Sequence, residues 1–180
     1  AYQGVFVRFT HPDNGANLAV DASVGGTPVG IHDGTDSVLW TGSNITGSSV
    51  DFASTTRADA GTKSVEADNP AVLDVWQFDK GSSQALSSYQ AISFRVNIDK
   101  NWGTDSIDLY GWDGDEVGAR IQLENYIDTG ALDTWQSVTI PLADMALSTS
   151  TITGLRIQVM TRDGAKSPTF YVDTLQLEET

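Results

Sequence analysis

The chain has 180 residues, 24 acidic against 10 basic, and a formal net charge of −14. A polyphosphate partner would meet repulsion over most of such a surface, which argues against nucleic acid, and the absence of cysteine removes disulfides, thiolate metal sites and thiol catalysis. No run reaches the roughly 18 apolar residues of a membrane-spanning helix and no charged-then-apolar leader opens the chain, so the expectation is one soluble domain with no membrane span.

Residues 1–28 differ in pattern from the rest of the chain. Val5, Val7 and Phe9 alternate with Phe6 and Arg8, and Asp13-Asn14-Gly15 offers a tight turn before Leu18-Ala19-Val20, so the spacing predicts a β-hairpin. Gly25-Gly26-Thr27-Pro28 then interrupts regular pairing. The hairpin is either an edge of the main fold or an N-terminal arm that docks elsewhere, with the body of the protein at 29–180.

From Val29 onward, short apolar runs alternate with clusters of Gly, Asp, Ser and Asn: 38–40, 50–54, 63–67, 72–79, 90–98, 106–112, 119–124, 135–142, 154–161 and 170–177. That rhythm predicts an all-β fold, an antiparallel two-sheet β-sandwich of the jelly-roll kind. Ile92, Phe94, Val96 and Ile98 share one face of a strand that should be central, and Val138 and Ile140 share a face of another. Ile107, Leu109, Leu155, Ile157 and Val159 complete the expected core. Only Ala143 to Leu147 looks helical.

The outward faces carry the chemistry. If Ile107 and Leu109 point in, Asp108, Tyr110 and Trp112 point out together. The same parity exposes Arg95, Arg120, Gln122, Arg156 and Gln158. Should these strands be neighbours, aromatic plates would stand among planar hydrogen-bonding groups, a surface suited to the apolar face and hydroxyl rim of a sugar ring. The same residues could equally form a solvated face with Arg and Glu paired across strands. Catalytic constellations are poor. His11 and His32 sit beside turns, no nucleophile elbow or phosphate loop occurs, and no pair among the 24 carboxylates is singled out, so the chain reads as no enzyme.

In the last run, Phe170 and Val172 have one parity and Leu175 and Leu177 the other. All four reach one core only if an extra residue, a β-bulge, sits at Asp173 and Thr174. The bulge would aim Asp173 at a hard cation, unless Asp173 faces solvent at a strand end.

Asp33-Gly34 ahead of a tryptophan, then VDFAST (50–55), AGTKSVEA (60–67), LSSYQAISFRVNI (86–98), DTWQSVTIPLADM (133–145), ITGLRIQ (152–158) and FYVDTLQLE (170–178), resemble the bacterial non-catalytic carbohydrate-binding modules of the β-jelly-roll, galactose-binding-like type. The resemblance covers roughly residues 29–178. It implies a polysaccharide or cell-surface glycan as partner, an extracellular location, and a structural calcium held by Asp173, Asp33 and the carbonyl of Lys63. Thr174 and Gly34 stand where the family often has a second acid. Similar modules also resemble domains of tailed-phage virion proteins, so the resemblance leaves room for a capsid-decoration or tail protein on the virion surface whose residues 1–28 contact other virion proteins.

Overall fold

A computed structural model describes residues 8–10, 17–19, 28–33, 40–47, 50–99, 102–161 and 169–180. Within these residues thirteen strands form three sheets, and every strand pairing is antiparallel. Strands β1 (Arg8–Thr10) and β2 (Asn17–Ala19) make the expected hairpin, with Phe9 opposite Leu18. The break at 25–27 and the docking role expected for residues 1–28 lie outside the described residues.

Two sheets face each other across the core. The five-stranded sheet runs β10 (Glu116–Gln122), β9 (Ser106–Trp112), β12 (Thr151–Thr161), β7 (Val75–Ala85), β4 (Thr41–Thr46). The six-stranded sheet runs β11 (Gln136–Pro141), β8 (Tyr89–Ile98), β13 (Phe170–Glu179), β6 (Ser64–Ala67), β5 (Val50–Ser54), with β3 (Val29–His32) beside the second half of β13. All eleven residues assigned to the core by alternation are buried, because a period-two pattern can satisfy only one face of a sheet. Trp40, Trp76 and Trp102 are the largest fully buried side chains, and Trp76 and Trp102 each pack on Phe170. The stretch 143–147 is a series of turns rather than a helix, with Met145 and Leu147 buried. The one helical element among the described residues is a single 3-10 turn at Leu123–Asn125. No helix there is long and apolar enough to cross a membrane.

The bulge in β13 is where the parity break puts it. Asp173 pairs with Arg95 and the next partner pair is Gln176 with Ser93, so three steps on β13 match two on β8. Thr174 takes up the surplus residue at φ +48°. Phe170, Val172, Leu175 and Leu177 are consequently all buried.

Candidate functional site on the outer face of the five-stranded sheet

Strands β10, β9, β12 and β7 are consecutive neighbours, so their outward residues form rows across one surface. In one row Gln122, Asp108 and Gln158 stand opposite each other; in the next Tyr110, Arg156 and Gln77 do. Six of the seven residues expected to bind ligand therefore come together: Tyr110, Trp112, Arg120, Gln122, Arg156 and Gln158.

The two rings are roofed rather than bare. The Arg120 guanidinium carbon lies 4.1 Å from the centre of the Tyr110 ring, and that of Arg156 lies 3.2 Å from the centre of Trp112. Such cation–π stacking flattens each guanidinium onto an aromatic plate. Tyr110 is 3 % exposed beneath its arginine, whereas Trp112 stays half-buried. Hydrogen bonds fix both forks: Arg120 Nη1 donates to Gln158 Oε1 at 2.6 Å and its Nε to Glu116 Oε2 at 2.9 Å, while Arg156 Nε donates to Gln77 Oε1 at 2.6 Å. Beside Arg120 a depression of about 410 Å³ is lined by Asp108, Gln122, Asn125 and Tyr126. Burial pushes the Asp108 carboxyl above its ordinary value, against the pull of Arg120 3.7 Å away.

Arg95 does not belong to this platform. Its strand β8 pairs with β11 and β13, so it lies on the outer face of the opposite sheet, on the other side of the sandwich. There it grips Asp59 twice, at 2.8 and 3.2 Å, and donates to the Trp135 carbonyl. Parity reports which face of its own sheet a residue takes, and strand order decides which sheet that is. Sequence reasoning misses Gln77, although its alternation between Trp76 and Phe78 marks it as outward.

Asp173 is fully buried, and its partners are donors. Oδ2 accepts the backbone N–H groups of Asp59 at 2.8 Å and Ala60 at 3.0 Å; Oδ1 accepts that of Thr174 at 2.7 Å. The facing residue on β3 is His32, whose Nδ1 is 3.8 Å from Oδ1, too long for a hydrogen bond. Burial holds the His32 imidazole below its ordinary value, against the pull of Asp173. Asp33 is exposed and Lys63 half-buried. Among the described residues no three His, Asp or Glu side chains converge to hold a metal. None of these three donors is a group that the family resemblance names for calcium. The carboxylate is a hub for three amides, tying the 55–63 loop to the bulge.

Neither a family model nor a curated sequence matches the chain. Solved structures do. A β-1,2-glucanase from Parabacteroides distasonis superposes with a TM-score of 0.60 at 15 % identity, over 83 % of this chain and 25 % of that one. A family 30 carbohydrate-binding module superposes with a TM-score of 0.54 at 15 % identity, over 86 % of this chain and 99 % of the module. SGBP-B from a complex xyloglucan utilization locus in Bacteroides uniformis gives 0.55 at 13 % identity, over 83 % and 49 %. The chain thus spans a quarter of the glucanase, about half of SGBP-B and the whole of the module. At these identities the likeness concerns the fold: the chain has the β-sandwich fold of carbohydrate-binding modules.

Proposed function

We propose that this protein binds a glycan, without cleaving it, on the outer face of its five-stranded sheet, and that it does so outside the cell, where polysaccharides are met. The observation that supports this most is the pair of stacked arginine–aromatic plates, Arg120 on Tyr110 and Arg156 on Trp112, flanked by Gln122, Gln158 and a 410 Å³ depression. A pyranose ring can pack its C–H face on the part of the half-buried Trp112 that Arg156 leaves uncovered, while the planar groups around it bond the hydroxyl rim. Asp108 and Glu116 both engage Arg120 and are poorly disposed to act as an acid and nucleophile pair.

Losing the stacked ring should forfeit ~0.5–1.5 kcal/mol beyond the lost contact area, and each hydrogen-bonding group left buried without a partner a further ~1–3 kcal/mol. Every ~1.4 kcal/mol is a factor of ten in affinity. A glycan array followed by titration calorimetry tests the proposal. The parent should bind, and Trp112→Ala should fall below detection with its far-UV spectrum unchanged. Equal binding by parent and variant would overturn the placement of the site. Release of reducing sugar by the parent would overturn the non-catalytic reading.

A further inference from the structure

Arg156 is an exception among the four arginines whose side chains the structure describes, Arg57, Arg95, Arg120 and Arg156. Arg57 pairs with Asp133 at 2.5 Å, Arg95 with Asp59 at 2.8 Å and Arg120 with Glu116 at 2.9 Å. No Asp or Glu oxygen among the described residues lies within the 4.0 Å of an ion pair from Arg156. In a chain with 24 acidic residues against 10 basic ones, most arginines should find a carboxylate, so one left without is informative.

Its setting is also specific. Arg156 sits on β12, the central strand of the five. Stacking on Trp112 holds the plane of its guanidinium and the Nε bond to Gln77 holds its rotation about that plane. Nη1 and Nη2 have no hydrogen-bond acceptor among the described residues, and they form the edge of the fork that matches a carboxylate with two parallel bonds. Sugar hydroxyls would satisfy these donors as neutral acceptors; a carboxylate would do so with charge-assisted bonds about twice as strong. The charge on Arg120 is compensated by Glu116 and Asp108, which leaves Arg156 as the uncompensated cation of the platform. Repulsion from distant acidic residues is screened beyond about 8 Å at physiological ionic strength, so the local guanidinium decides.

We propose that Arg156 determines the specificity of the platform and that the bound glycan is acidic, its uronic acid carboxylate seated on Nη1 and Nη2 with Trp112 behind it. This rests on the glycan-binding reading above. The test titrates the intact protein with polygalacturonate, alginate and glucuronoxylan, and with each polymer after its carboxyl groups have been reduced to neutral alcohols. At least one acidic polymer should bind, and reduction should weaken it about tenfold or more. Arg156→Gln should weaken the acidic polymer more than its reduced form, so that the variant no longer separates the two. Arg156→Lys, which keeps the charge without the fork, should fall between, and thermal melts of both variants separate this from misfolding. If the reduced polymer or neutral glycans bind as well as the acidic ones, or if Arg156→Gln keeps full affinity, the acidic-ligand inference falls while glycan binding stands. If no acidic, reduced or neutral glycan binds, the glycan reading falls and takes this inference with it.

Discussion

Tyr110 and Trp112 stand two residues apart on β9, each under an arginine, and they do different work. Tyr110 is 3 % exposed, so a ligand reaches Arg120 before it reaches the ring, and the phenol acts mainly to support that guanidinium. Truncating an aromatic this buried costs about 3–5 kcal/mol. Tyr110→Ala should therefore lower the urea midpoint clearly, whereas Trp112→Ala should lose ligand with a much smaller change in stability. Asp108 makes a prediction in pH. Burial raises its folded-state value, so the folded protein holds the proton more tightly than the unfolded chain does, and this group's contribution is fully present in acid and is lost as pH rises through the raised value. Asp108→Asn removes that loss. Its thermal midpoint should exceed the parent's at neutral pH, and the gap should close as pH falls below the ordinary carboxylate range. A gap independent of pH would show that Asp108 is not strained by burial.

Two irregular strands position these residues. In β10 the register shifts between Val117 and Ile121, and Gly118 sits there at φ +77°. A Cβ on Gly118 would lie 2.2 Å from the carbonyl oxygen of Met145, which already accepts the N–H of Ala119. Gly118→Ala should destabilise by about 1–3 kcal/mol and, because Arg120 lies two residues further on, weaken ligand binding as well. A variant as stable as the parent would show that the turn relaxes. In β13 the bulge depends on Asp173, whose replacement by Ala removes the acceptor of three part-buried backbone N–H groups, at no more than about 1–3 kcal/mol each. Asp173→Ala should therefore be strongly destabilised in urea. Exhaustive chelation of the parent should leave its melting temperature where it was, since the carboxylate is held by amides. A fall on chelation, restored by calcium, would mean that the bulge binds a cation after all.

At the scale of the molecule, the two sheets enclose a core in which Trp40, Trp76 and Trp102 are fully buried, and Trp112 lies on the outer surface. Ligand binding at the platform should therefore perturb tryptophan emission mainly through Trp112. Trp112→Ala should abolish the ligand-induced change while most of the emission persists. A change that survives this substitution would move the site, with Trp135 on the far side of the sandwich as the next residue to replace.

The amino-acid sequence by itself determined everything that a period of two dictates. It assigned Ile92, Phe94, Val96, Ile98 and their counterparts to the core, set Tyr110, Trp112, Arg156 and Gln158 facing outward, and revealed the bulge from the reversed parity of Leu175 and Leu177. Alternation is local, so neighbouring residues suffice to read it. Tertiary structure alone decided the rest, because strand pairing joins residues far apart in the chain. It put Arg95 on the opposite sheet, since β8 pairs with β11 and β13 rather than with β9. Arg120 came to cover Tyr110 through the adjoining edge strand, turning an expected bare plate into a roofed one. It also brought to Asp173 the amides of Asp59 and Ala60, more than a hundred residues earlier, where the outline of a family suggested a metal ion. A carboxylate accepts amides and cations alike, and which of them it meets depends on the loop that the fold lays against it.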